Sequence, residues 1–192
     1  AKDERIPLKY GVLGQETNGP GGVFKGLRTI PIILDIVKDM KEICPDAWLV
    51  NFTNPAGMVT EAVLRYTDHH KVVGLCNVPI GMEMGIAKLL NVEHSRVRID
   101  FAGLNHMVYG LDVFVDGVSV KDKVIDFLTH PENSSFVKNI QGYGWEPEFI
   151  SALGVLPCPY HNYYYKTREM VEKDIKSAET EGTRAEVVKK LE

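Results

Sequence analysis

The chain predicts an α/β fold, a parallel sheet followed by an α+β part. Three observations predict it: continuous apolar strands at 47–52 and 71–76, amphipathic helical stretches between them, and a change to a hairpin pattern after Phe101. A strand that is apolar throughout is buried on both faces, which calls for helices on both sides of a parallel sheet. The expected boundary between the two parts lies between residues 101 and 102.

From the N-terminus, the segment 6–24 reads as a glycine-rich loop, since Gly14, Asn18, Gly19, Pro20, Gly21 and Gly22 crowd together. A helix is predicted over 29–43, with Thr29 as N-cap and one face made by Ile30, Ile33, Leu34, Val37 and Met40. Pro45 is expected to stop it. The strand at 47–52 ends in Thr53-Asn54-Pro55, and a helix follows over 56–66. The strand at 71–76 ends at Asn77 and Pro79, a helix follows over 80–90, and a third strand of the parallel sheet is predicted at 96–101. Beyond it, 107–115 and 118–120 read as a hairpin around Asp116-Gly117. Short helices are predicted at 124–128 and 149–153, a polar loop at 131–144, a tyrosine-rich helix at 160–176, and a last helix at 183–191. That last helix reaches the C-terminus without a stop signal, and the N-terminus carries neither initiator Met nor signal pattern, so the sequence reads as an excised piece.

Charge and composition exclude several classes of function. The chain has 192 residues, with 22 basic and 26 acidic side chains and a net charge of −4. No basic stretch stands out, which argues against a nucleic acid or membrane-surface partner. No apolar run approaches the roughly 18 residues of a membrane span. Cys44, Cys76 and Cys158 are odd in number and irregularly spaced, a poor disulfide framework and a sign of a reducing compartment.

Ligands of a parallel sheet gather at the C-terminal ends of its strands. Two polar clusters fall there, Thr53-Asn54 and Cys76-Asn77. Cys76 and His106, a thiol and an imidazole, suit a divalent transition metal with open positions, although each alone also reads as an ordinary buried side chain. Asn54 and Asn77 can grip hydroxyls with donor and acceptor together, or simply form turns. Tyr160 opens the tyrosine-rich helix and could face a cleft; a phenol needs a nearby cation to act as a base. Arg184 is either an anion clamp or a solvated surface residue. Neither a GxGxxG nor a GxxxxGK[ST] fingerprint occurs, and no carboxylate pair can be assigned for ordinary glycoside hydrolysis.

Six ordered blocks together resemble glycoside hydrolase family four, the NAD- and divalent-metal-dependent 6-phospho-glycosidases. They are Lys9-Tyr-Gly-Val-Leu-Gly-Gln-Glu-Thr-Asn-Gly-Pro-Gly-Gly22, Asn51-Phe-Thr-Asn-Pro-Ala56, Gly74-Leu-Cys-Asn-Val-Pro-Ile-Gly81, Gly103-Leu-Asn-His106, Pro159-Tyr-His-Asn-Tyr-Tyr164 and Gly182-Thr-Arg-Ala185. The family chain is more than twice as long, so this chain would be its middle. The resemblance implies an incomplete Rossmann-like sheet of the lactate/malate-dehydrogenase kind. Residues 1–101 would then be the C-terminal part of a dinucleotide-binding domain, and 102–192 the start of an α+β substrate and metal domain.

The same resemblance implies roles. Cys76 and His106 would hold Mn²⁺ or another divalent metal, Asn54 and Asn77 would contact the sugar, and Asn54 would also lie near the nicotinamide. Tyr160 would remove the proton from C2, and Arg184 would help bind the 6-phosphate; Glu16 lies in the loop that faces cofactor and substrate. The implied reaction is hydrolysis of 6-phospho-β-glucosides such as cellobiose 6-phosphate, by NAD-dependent oxidation at C3, deprotonation at C2, elimination and addition of water. The β-anomer follows from Asn77, where members acting on α-glucosides carry an Asp. A cytoplasmic homodimer or homotetramer is implied. Two alternatives stay open from the sequence: a 2-hydroxy-acid dehydrogenase, which would need no Cys–His metal pair, and a non-catalytic fragment of the parent enzyme.

Overall fold

A computed structural model describes residues 2–130, 132 and 144–180, with side chains described through 176. Most of the expected loop at 131–144 and all of the helix expected at 183–191 lie outside the described residues. The chain divides into two compact units, Ala1–Leu75 with Asn162–Glu192, and Cys76–His161.

The first unit begins with α1 (Lys2–Leu8) and a long α2 (Gly19–Ile43). Helix α2 starts ten residues ahead of the predicted Thr29, inside the expected loop. Pro20 sits in its first turn, where a missing N–H costs nothing. Pro31, two residues after the predicted N-cap, lies mid-helix on an exposed face, so water can take the carbonyl that it leaves unbonded. The glycines of the segment serve close backbone approach: a Cβ on Gly22 would stand 2.1 Å from the Thr17 carbonyl oxygen, and one on Gly21 2.4 Å from that of Gln15.

Strands β1 (Leu49–Asn51) and β2 (Val72–Gly74) pair in parallel, Leu49 opposite Val72 and Asn51 opposite Gly74, with α3 (Ala56–Tyr66) as the crossover. This is the predicted parallel sheet. Val37, Val63 and Val72 form its small core, with Ile33, Leu34 and Leu49 packed against them. α7 (Asn162–Tyr165) and α8 (Thr167–Thr180) complete this unit. The predicted tyrosine-rich helix is thus broken into a 3₁₀ turn at Pro159–His161 and two α-helices.

In the second unit, α4 (Val78–Leu90) packs on a four-stranded antiparallel sheet. β3 (Val97–Leu104) pairs with β4 (Met107–Val115), and β4 pairs with β5 (Val118–Ser119) and with β6 (Leu156–Pro157). β3 is therefore not the third parallel strand. Only Asn105 and His106 separate it from β4, too short a link for anything but an antiparallel pair. The alternation was visible in the sequence: Val97 and Ile99 are buried while Arg98 between them is exposed, the period of a strand with one wet face. The Asp116-Gly117 turn stands as predicted, with φ of 51° and 79°, the left-handed pair of a type I′ hairpin. The helices α5 (Lys121–Thr129) and α6 (Pro147–Leu153) cover the main core, where Ile86, Val113, Val124 and Leu156 are almost fully buried.

Among the described residues, no helix is long and apolar enough to cross a membrane.

Gly103 has a φ of 131°, and a Cβ there would meet the Met107 carbonyl oxygen at 2.3 Å. Gly103→Ala is therefore expected to destabilise the protein by at least about 2 kcal/mol, read as a lower urea midpoint at unchanged slope. His161 is fully buried, and burial holds its imidazole below the ordinary value, so it is neutral in the fold. The unfolded chain takes up a proton as pH falls through about 6.5 and the folded one does not. Stability is thus expected to fall with pH below that point, with a shallower slope in His161→Gln than in the wild type.

Candidate active site

The β3–β4 turn builds one wall of the site. Its two central residues are Asn105 and His106, and His106 has a φ of 63°, a left-handed backbone that costs a non-glycine residue energy. The turn places the imidazole inward, where His106 is 3% exposed. The Asn105 side-chain oxygen is also buried, with no hydrogen-bond partner.

Strand β6 delivers the second wall. Tyr109 faces Pro157 and Gly110 faces Leu156, and the Cys158 N–H donates to the Val108 carbonyl at 3.2 Å. Continuing that register sets Tyr160 opposite His106. Their rings stack with centroids 3.6 Å apart and planes 8° from parallel. Gly110 permits the approach: a Cβ there would press to 2.8 Å on Ile99 and 3.3 Å on Leu156. Beneath Tyr160, the Cys158 thiol is fully buried, and burial pushes its pKa up, so it is a packing thiol rather than a ligand.

The start of α4 supplies the third wall. Asn77 is the N-cap residue, yet its side chain makes no capping bond. An Asn at this position usually spends its oxygen on the first-turn N–H groups. Here that oxygen lies 4.0 Å from the Cys76 sulfur, and Cys76 itself is half-buried. Asn77 and Tyr160 face each other across a cavity of about 280 Å³ that Val78, Gly81, Met82 and Pro159 complete. Four of the predicted residues thus fall in one unit. Asn77 and Tyr160 share a cavity, His106 backs Tyr160, and Cys76 adjoins Asn77.

Asn54 lies in the other unit, just after β1. The Asn51 amide shapes its loop, accepting from the Thr53 N–H at 3.1 Å and donating to the Thr53 carbonyl at 3.2 Å. The peptide between Asn54 and Pro55 is cis. The Asn54 amide donates to one oxygen of Glu16 at 3.1 Å, and Lys25 pairs with the other at 2.7 Å. Lys25 carried no signal in the sequence, since only the fold brings it to Glu16. Arg184 lies outside the described residues.

Comparison with known proteins supplies the family. Residues 1–92 match the family described as family 4 glycosyl hydrolase, and residues 101–192 match its C-terminal domain. The chain belongs to glycoside hydrolase family 4. Among relatives in that family, a probable 6-phospho-β-glucosidase of Bacillus subtilis strain 168 is 68% identical over 192 residues, which are 100% of this chain and 43% of the relative. A 6-phospho-β-glucosidase of Escherichia coli K12 is 50% identical over 99% of this chain and 43% of its own length. Among solved family 4 structures, the Thermotoga maritima 6-phospho-β-glucosidase with manganese, NAD⁺ and glucose 6-phosphate superposes with a TM-score of 0.82 at 36% identity, over 99% of this chain and 43% of that one. The chain therefore spans less than half the length of the relatives it matches. Family 4 membership and these neighbours bear out the Rossmann-like α/β class, and the 2-hydroxy-acid dehydrogenase alternative falls with them.

Proposed function

We propose that the full-length protein carrying this chain hydrolyses 6-phospho-β-glucosides with NAD and a divalent metal, Mn²⁺, as cofactors. The observation that carries the reading is the match of the whole chain, at 68% identity, to a probable 6-phospho-β-glucosidase. The stacked His106–Tyr160 pair on a cavity shared with Asn77 supports it.

The residues present fit a metal with open coordination positions. By type, the half-buried Cys76 thiol, the Asn77 oxygen 4.0 Å from it, the buried His106 imidazole and the buried, unbonded Asn105 oxygen are S, N and O donors suited to such a metal. Among the described residues, no group of three or more His, Cys, Asp or Glu is placed to hold a metal ion; two protein ligands, Cys76 and His106, would leave positions for substrate oxygens. When bound, NAD supplies hydride transfer at the sugar and the metal supplies Lewis acidity beside it.

The chain's own residues do the rest. Tyr160 removes the proton from C2 of the sugar through its phenolic oxygen. The phenolate form that this needs would be favoured by a divalent cation held by His106, whose ring stacks on Tyr160. Asn77, with its side chain not spent on capping, orients sugar hydroxyls. It carries no acidic proton, in keeping with the β-anomer. Asn54 holds hydroxyls of sugar or cofactor, and Arg184 clamps the 6-phosphate. In this reading residues 1–101 belong to the dinucleotide-binding domain and 102–192 to the substrate domain. The protein is cytoplasmic, since phosphorylated sugars arise inside the cell, and the family resemblance implies a homo-oligomer.

The test is a chimera in which this chain replaces the matching part of the Bacillus subtilis relative. With NAD⁺ and Mn²⁺, it should release p-nitrophenol from the β-glucoside 6-phosphate and little from the α-anomer. A folded chimera that releases none from either overturns the activity; equal release from both overturns the anomer choice.

A further inference from the structure

Lys25 lies on the second turn of α2, and nothing in the implied reaction uses it. Its ammonium stands 2.7 Å from one Glu16 oxygen, and the other Glu16 oxygen accepts from the Asn54 amide at 3.1 Å. The two charged side chains are 28% and 22% exposed, so water screens their attraction only in part. Close packing brings the helix to this place. A Cβ on Gly26, the next residue, would meet the Met58 methyl at 2.9 Å and the Pro55 ring at 3.7 Å. The helix thus packs directly on the residue that follows Asn54.

An asparagine amide can turn end over end, presenting oxygen or nitrogen to a ligand with almost the same shape. Here a carboxylate, which only accepts, captures the nitrogen end, and the ammonium keeps that carboxylate charged and in place. No described residue donates to the Asn54 side-chain oxygen.

We propose that Lys25 is a positioning residue that acts on Asn54 through Glu16, fixing the amide so that its carbonyl oxygen is left to accept from a ligand hydroxyl. Asn54 then selects a hydroxyl of sugar or ribose and offers little to a phosphate oxygen, which cannot donate. The role rests on the reading of Asn54 as a binding residue.

The experiment has two arms. In the chimera, the Asn54 side-chain NH₂ signals, identified by their loss in Asn54→Ala, are followed by NMR. Lys25→Met should move them and speed their exchange with water by about tenfold, and Lys25→Arg should restore them. Unchanged signals in Lys25→Met overturn the relay, whatever the protein catalyses. In the chimera, Lys25→Met should raise KM for the β-glucoside 6-phosphate, or for NAD⁺, by about tenfold with kcat altered less, and Lys25→Arg should recover it. Moved signals with both KM values unchanged overturn the positioning role. A wild-type chimera that is folded but inactive sinks the proposed activity instead, and the NMR arm still decides the relay.

Discussion

In the chimera, Tyr160→Phe is expected to lower kcat by about 10³-fold while leaving KM for the phosphorylated β-glucoside nearly unchanged. The substitution removes one oxygen and nothing else. Phenylalanine keeps the flat ring that stacks on His106 at 3.6 Å, and it keeps the cavity wall opposite Asn77. Binding should survive, and the step that needs a base should fail. Exchange of the C2 proton with solvent deuterium gives an independent readout: the wild type should exchange it and Tyr160→Phe should not. Turnover within threefold of wild type in Tyr160→Phe would rule Tyr160 out as the base and move the search to other groups around the cavity.

Cys76→Ser and His106→Ala are each expected to weaken Mn²⁺ binding by more than about 100-fold, measured as free Mn²⁺ by electron paramagnetic resonance. A serine hydroxyl does not ionise at neutral pH, so Cys76→Ser removes a thiolate donor while adding almost no change of volume. His106→Ala also removes the stacking partner of Tyr160, so a fall in stability would accompany it. His161→Gln is the control, because that imidazole is fully buried against Tyr109 and is held neutral by burial. Full Mn²⁺ affinity in both Cys76→Ser and His106→Ala would sink the metal assignment, and with it the reason for a phenolate at Tyr160.

These substitutions separate what holds the site from what acts in it. The stack depends on register: β6 pairs with β4 so that Tyr160 arrives opposite His106. That pairing joins residues some fifty positions apart in the chain, and Gly110 makes the room for it. No local pattern announces such a contact. The sequence marks Tyr160 as one of several tyrosines, and only the sheet sorts it from its neighbours. Cys158 shows the reverse, a residue type suited to metal that tertiary burial reserves for packing.

By itself the sequence determined what short-range chemistry dictates. The parallel β1–β2 pair with its helical crossover follows from apolar runs bounded by Asn and Pro. The Asp116-Gly117 turn follows from two residues that tolerate a left-handed backbone. The clusters after the strands, Thr53-Asn54 and Cys76-Asn77, follow from where apolar pattern gives way to polar, and the six blocks identified the family. Tertiary structure decided the rest, because its causes lie between distant residues. It carried α2 through Pro31 on an exposed face and took β3 into an antiparallel sheet through a two-residue link. It also joined Lys25 to Asn54 through Glu16. A side chain's partner across the fold is set by packing and register, and those depend on long-range contacts that no window of sequence contains.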